Sequence, residues 1–262
     1  MSIESTPLHY AVPQRVKNEL VFRQMTVQQK TRVADAFYRI VFHGEQLKGF
    51  HSPSFDDHSK LFFPDANGVL HLPTLTDEGI SWPQGVRPAA RDYTPLAFDG
   101  EGSLTIDFFL HDGGVASEWA KRAQPGDALA VGGPRGSTII PTDYPFQVYS
   151  ADETGLPALK RRLAELRPLL AEKEIHVLAQ VDEAVGRAYL DEQPGIHFQW
   201  LDSAEALTAA LHALTLPGEG YFFWLTGEGA QTKALADSLV QQRQIDDRWI
   251  RAVAYWHQKA EA

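Results

Sequence analysis

Arg91-Asp92-Tyr93-Thr94-Pro95 places a cation, an aromatic ring and a small hydroxyl within four residues. On a strand, successive side chains alternate between faces, so Arg91 and Tyr93 point one way and Asp92 and Thr94 the other. A flat cofactor that carries phosphates uses this set. Its ring stacks on a tyrosine, its pyrophosphate pairs with an arginine, and a hydroxyl or backbone N–H sits near a ring nitrogen. In an arbitrary strand the same residues are more often an exposed cation beside a packed aromatic, so the neighbours must decide.

Downstream, Leu104, Ile106, Phe108 and Leu110 alternate with Thr105 and Asp107, the pattern of a half-buried strand. It runs into His111-Asp112-Gly113-Gly114-Val115-Ala116-Ser117, which opens a helix. Paired glycines let a phosphate approach the backbone, and a helix N-terminus offers N–H groups and partial positive charge. Ser117 either caps the helix or bonds a phosphate oxygen. An ordinary glycine-rich turn with a serine cap fits equally well. Taken with Arg91-x-Tyr93-Thr94, the turn points toward a flavin.

Further out, residues 1–18 read as a polar lead-in, and Glu19 to Phe42 as two strands rich in β-branched and aromatic residues. Leu61-Phe62-Phe63 follows a polar loop as a short strand. Residues 64–90 hold four prolines and three glycines and read as the longest loop. Ala128 to Val131 is another strand, followed by the turn Gly132-Gly133-Pro134-Arg135-Gly136. Short strands with Gly/Pro turns predict a small barrel. Past Tyr144-Pro145 the pattern changes to alternating strands and helices, the mark of a parallel sheet. The chain therefore divides into residues 1–144, a β-barrel, and residues 145–262, an α/β domain. In the second domain, Asp152-Glu153-Thr154-Gly155-Leu156-Pro157-Ala158 follows the first strand, where nucleotides bind in such sheets. No G-x-G-x-x-G is present. Thr226-Gly227-Glu228-Gly229 is a second strand-to-helix turn, and by itself it reads as a simple connection.

Composition narrows the chemistry. The chain has 262 residues, 44% apolar and 22% charged, which is ordinary for a globular protein. Cysteine is absent, which excludes disulfides, zinc-thiolate sites and cysteine-held iron–sulfur clusters. Redox chemistry would need a bound cofactor. A net charge of −10 argues against nucleic-acid binding and means that an anionic ligand needs a local cluster of cations. Neither a signal peptide nor a membrane span is expected, and the cytoplasm is the default location.

The chain resembles the siderophore-interacting, NAD(P)H-dependent ferric-chelate reductases of the ferredoxin–NADP reductase superfamily. The resemblance is carried by Asp56-Asp57-His58-Ser59-Lys60, Arg91-Asp92-Tyr93-Thr94, Asp107-Phe108-Phe109-Leu110-His111 with Gly114-Val115-Ala116-Ser117-x-Trp119-Ala120, and Gly126-Asp127. Gly133-Pro134-Arg135-Gly136, Asp152 to Ala158, Thr226-Gly227-Glu228 and Tyr255-Trp256 complete it. It implies an N-terminal Greek-key FAD-binding β-barrel followed by a parallel-sheet nicotinamide-nucleotide domain. The implied cofactors are FAD and NADPH, with NADH as the alternative, and the implied partner is a ferric siderophore or ferric chelate, acted on by a monomer.

Carried over, Tyr93 would stack on the isoalloxazine, Thr94 would approach its N5, and Arg91 would pair with the pyrophosphate. Asp107, His111, Gly114, Val115, Ala116 and Ser117 would serve the rest of FAD. Gly155, Pro157, Ala158, Thr226, Gly227 and Glu228 would line the nicotinamide cleft, with Tyr255 and Trp256 near the flavin or nicotinamide face. Lys60 and Arg135 would dock the anionic chelate; otherwise Lys60 lies along a strand edge and Arg135 serves FAD or a carboxylate. His58 reads as a loop-stabilising group, with no dedicated protein iron site. Lys160, Arg161 and Arg162 either meet the 2′-phosphate of NADPH or form a solvated helix face. Many members continue Tyr-Thr-x-Arg, and here Leu96 takes that arginine's place, leaving one phosphate contact in doubt. Many also carry a further helix after the Tyr-Trp pair, whereas this sequence runs to Ala262. The same architecture would serve another acceptor, such as free flavin, a quinone or a redox protein. A siderophore-binding protein without turnover is the remaining alternative.

Overall fold

The computed structural model describes residues 10–258. The first nine residues of the expected lead-in and residues 259–262 lie outside that range. The first half of the chain contains β1 (Gln14–Lys17), β2 (Phe22–Val33), β3 (Phe37–His43) and β4 (Ser59–Phe62). A hairpin of β5 (Thr74–Thr76) and β6 (Gly79–Ser81) interrupts the stretch expected to be loop. Then come β7 (Ala90–Tyr93), β8 (Ala97–Phe98), β9 (Ser103–Phe109), helix α1 (Val115–Arg122), β10 (Ala128–Gly132) and β11 (Gly136–Ile139).

Seven of these strands form one antiparallel sheet in the order β7-β4-β10-β2-β3-β9-β8. Its two end strands are joined by only Thr94, Pro95 and Leu96. Four residue steps reach about 14 Å at most. Seven strands laid flat span roughly 28 Å. The sheet must therefore curl until its ends meet, and residues 94–96 form the seam. A bond from the Leu96 N–H to the Thr105 carbonyl, 2.9 Å, ties the seam to β9. The predicted alternation on β9 holds: Leu104, Ile106 and Phe108 are fully buried with Ile40, Phe42, Leu129 and Val131. Trp119 of α1 joins this core, and its ring lies 5.8 Å from that of Phe108.

The second half alternates as expected: β12 (Phe146–Ala151), α2 (Leu156–Leu166), β13 (Glu174–Ala179), α3 (Glu183–Tyr189), β14 (Ile196–Trp200), α4 (Ala204–Ala213), β15 (Tyr221–Glu228), α5 (Gly229–Arg243) and β16 (Ile250–Trp256). The sheet is parallel, in the order β14-β13-β12-β15-β16. Counted from β12, the order is third-second-first-fourth-fifth, so the topology reverses between β12 and β15. Helix α2 stops as an α-helix at Leu166, because Pro168 lacks an N–H to continue the ladder. Helix α3 escapes a periodicity reading. It is seven residues long, is capped by Asp182, and carries Gly186 where a Cβ would stand 2.1 Å from the Trp200 ring. No helix among the described residues is long and apolar enough to cross a membrane.

Two compact units emerge, and they are interleaved. Among the described residues, one comprises Arg15–Thr138 with Pro157–Arg162; the other takes residues 10–14, Ile139–Leu156 and residues 163–258. Phe108 is the residue on which the first unit's interior and the Tyr93 ring both rest, with centroids 4.6 Å apart. Replacing Phe108 by alanine should lower stability by about 3–5 kcal/mol, measured by urea unfolding.

Candidate cofactor and substrate site

Strand β7 is an end strand, paired on one side with β4. The register sets Ser59 opposite Tyr93, Lys60 opposite Asp92 and Leu61 opposite Arg91. Directly opposed residues share a face, so Ser59 and Tyr93 face one way, and Lys60 and Asp92 the other. The Tyr93 ring packs on Phe108, and burial pushes its phenol well above the usual range. Ser59 is 1% exposed, and its hydroxyl has no protein partner. Thr94, the next residue in the chain, is also buried. Arg91 is exposed, with its guanidinium bonded to the carbonyl of Ala90 at 2.7 Å. The seam thus combines a ring, a buried hydroxyl lacking a protein acceptor or donor, and an exposed cation.

The turn after β9 has Gly114 at the N-cap of α1 with no side-chain cap. The His111 imidazole lies over it, 2.2 Å from where a Cβ would stand, so only glycine fits. Ser117 is fully buried. It accepts from the His111 N–H at 3.0 Å and donates to the His111 carbonyl at 2.7 Å. The Ser117 hydroxyl thus staples the turn instead of capping the helix, and the first turn at Val115 and Ala116 has no side-chain cap. Asp107 has a structural partner: its buried carboxylate receives two bonds from its cross-strand neighbour Arg39, at 2.8 and 2.7 Å.

Lys60 and Arg135 are both exposed. Lys60 pairs with Asp92 at 2.8 Å, each side chain 48% exposed. Gly132 is the β10 neighbour of Lys60, and Arg135 lies in the turn that follows. His58 is exposed at the start of β4. The preceding Asp57 is buried. One of its carboxylate oxygens accepts from the Ser52 hydroxyl (3.0 Å), the Ser54 N–H (3.1 Å) and the Ser137 hydroxyl (2.8 Å). The other oxygen has no partner, and burial raises the group's pKa despite these bonds. Ser59 and Asp57 lie within the quoted motif, but their roles depend on long-range pairing that the sequence does not display.

In the second unit a cleft opens where the topology reverses, lined by Asp152, Gln180, Thr226, Gly227, Glu228 and Gln231, among others. The Thr226 hydroxyl donates to the Val253 carbonyl at 2.8 Å. The Glu228 carboxylate accepts from the Gln231 N–H at 2.9 Å, which caps α5 and holds the group below the usual range. Gly155 is required by packing, since a Cβ there would stand 2.5 Å from the Thr226 methyl. Gly227, at φ +139, leaves room for the Asp152 carboxylate. Asp152 also accepts from the Trp256 indole at 2.7 Å. Tyr255 packs edge-on to Trp224 and, by strand alternation, faces away from Trp256, so the two do not form one aromatic plate. Burial raises the Glu153 carboxyl, with the charges of Asp152 and Asp182 adding to the effect. Carboxylates and amides suit the hydroxyls or carboxamide of a nucleotide, not its phosphates.

Pro157 and Ala158 are buried in the first turn of α2, within the segment that clusters with the barrel. Arg162 there is fully buried over the Phe55 ring, and Arg161 bonds Ser52 and Pro95. Neither forms a solvated face, and neither guanidinium is left for a 2′-phosphate.

A curled antiparallel sheet followed by a doubly wound parallel sheet defines a flavoprotein reductase architecture of the ferredoxin–NADP reductase type. Residues 26–138 match the siderophore-interacting FAD-binding domain, and residues 144–259 match the siderophore-interacting protein model. An NADPH-dependent ferric-chelate reductase of Escherichia coli is 48% identical over 94% of this chain and 97% of its own. Ferric vibriobactin reductase of Vibrio cholerae is 27% identical over 87% and 86%. The crystal structure of a siderophore utilization protein from T. fusca superposes with a TM-score of 0.82 at 31% identity, covering 95% and 97%. The chain belongs to the siderophore-interacting protein family.

Because Asp107 holds Arg39, Asp107→Asn should cost about 3 kcal/mol of apoprotein stability. Retention of FAD by the folded variant should not change. Chemical unfolding and flavin fluorescence measure the two separately.

Proposed function

We propose that this protein is an FAD-dependent reductase that uses NADPH to reduce the iron of ferric siderophores or related ferric chelates, so that Fe(II) is released. The observation that carries the reading is the seam: a Tyr93 ring backed by Phe108 beside the buried, unpartnered Ser59 hydroxyl, with exposed cations alongside. The naming of the 48%-identical relative supports it. These residues fit a flavin. Tyr93 would carry the ring system, Ser59 and Thr94 would offer hydroxyls to its polar edge, and Arg91 would meet the pyrophosphate. The uncapped first turn of α1 would take phosphate through the backbone N–H groups of Val115 and Ala116. Bound FAD supplies the conversion of a two-electron hydride donor into one-electron steps at the iron.

Residues 1–144 would hold the flavin and residues 145–262 the nicotinamide nucleotide, with the Asp152–Glu228 cleft taking its uncharged end. Residues Pro157–Arg162 are an exception, since they cluster with the barrel. Lys60 and Arg135 would attract the anionic chelate to a protein of net charge −10. The protein would act as a monomer in the cytoplasm.

Anaerobic mixing with NADPH should bleach the yellow protein, and a ferric siderophore should then restore the colour as Fe(II) forms. Bleaching without Fe(II) on reoxidation would point instead to another acceptor. Lys60→Ala and Arg135→Ala should each raise the KM for an anionic ferric tris-catecholate about 3–10-fold, with kcat nearly unchanged. The effect should shrink in high salt. Equal effects on a neutral ferric chelate would show that the cations do not read charge.

A further inference from the structure

The seam has an attachment that is not part of the sheet. Arg161 donates through one guanidinium nitrogen to the Ser52 hydroxyl (3.0 Å) and the Pro95 carbonyl (3.0 Å), and through another to the Ser52 carbonyl (2.8 Å). It also lies 5.7 Å from the Phe98 ring on β8. The Ser52 hydroxyl in turn donates to Asp57. The placement of these contacts matters. Asp57 lies two residues before Ser59, where β4 begins, and Pro95 lies two residues after Tyr93, where β7 ends. The Ser59–Tyr93 pair is the last rung of that ladder, and Arg161 with Ser52 joins the two chain segments just beyond it.

β7 stands at the end of the sheet and has only β4 as a strand neighbour. Short end-strand ladders open easily, because few hydrogen bonds must break. A rigid, planar fork with several donors is suited to spanning three acceptors, whereas the single ammonium of lysine is not. We infer that Arg161 is a positioning residue that clamps the open end of the β4–β7 ladder and so holds Ser59, Tyr93 and Thr94 in place to receive the flavin. The clamp rests on the proposed function only in taking that rung to be flavin-facing; the mechanical role stands apart from it.

Amide hydrogen exchange on the apoprotein tests the mechanical part, with Arg161→Ala and Arg161→Lys compared against wild type. Exchange over residues 93–96 should rise at least tenfold in Arg161→Ala, stay unchanged in β3 and β10, and recover only partly in Arg161→Lys. Flavin titration tests the functional part. FAD affinity should fall about tenfold in Arg161→Ala, and the visible circular dichroism of the bound flavin should change. Exchange at 93–96 that matches wild type overturns the clamp. Faster exchange with unaltered FAD affinity and dichroism overturns its link to the flavin. Wild-type protein that retains no FAD would sink the cofactor reading and leave the exchange result to decide the clamp alone. Should Arg161→Ala fail to fold, Arg161→Lys is read in the same way, with partial loosening expected and none overturning the clamp.

Discussion

The closure of the seven-stranded sheet across Thr94, Pro95 and Leu96 is the constraint on which the barrel unit depends. Three residues cannot span a flat sheet of that width, so the two end strands must be brought together. With the sheet curled, the Tyr93 ring at the end of β7 rests on Phe108 of β9, which becomes the floor beneath it. Closure also creates an unusual position: a ring on the last strand of the sheet, with the Ser59 hydroxyl on the neighbouring strand and the Thr94 hydroxyl just past the strand's end. A central strand would bury such groups on both sides. An unsupported end strand would let them wander. The seam gives Tyr93 a packed face while its strand keeps an open side.

How the chain uses its polar side chains explains much of what the sequence concealed. The strand alternation on β9, the change to α/β grammar past Tyr144-Pro145 and the helix start at Gly114 were legible because each is a local pattern. The fate of individual polar groups was not. Ser117, Asp107, Glu228 and Thr226 all look like ligand-binding residues in a motif, yet each spends its side chain on the chain itself. The partner of Asp107 is 68 residues away, and that of Thr226 is 27 residues away. Such pairings follow from register, and register follows from packing over the whole sheet. The same holds for Ser59, which gains meaning only once β4 is laid against β7. Helix α3 was hidden for a different reason: its glycine, a poor helix former, is demanded by the Trp200 ring.

A division of labour between backbone and side chain follows. Where the side chains of a turn are committed internally, what remains to face a ligand is backbone N–H, carbonyl oxygen and the space that glycine leaves. Such a surface is stiff, because the side chains that would otherwise adapt are holding it. Stiffness suits a site that must present one geometry to a planar cofactor, since less ordering is left to occur on binding. It also means that substituting these motif residues would damage the scaffold first and ligand contacts only second.

Two ion pairs of the barrel unit differ in what they can do. Lys60 is paired with Asp92, but both side chains are about half exposed. An ion pair in that setting contributes only ~0–1 kcal/mol, because water and salt screen it and two long side chains must be held still. Exchanging Asp92 for another anion would therefore cost little. The pair keeps Lys60 extended along the outer face of the ladder, opposite the face that carries Tyr93. Arg39 and Asp107 show the contrast. With the carboxylate fully buried, that pair cannot open to a ligand without leaving an unpaired charge in the interior. Exposure thus separates the two kinds of ion pair in this unit: the buried one fixes the barrel, and the open one leaves a cation available to whatever anion approaches.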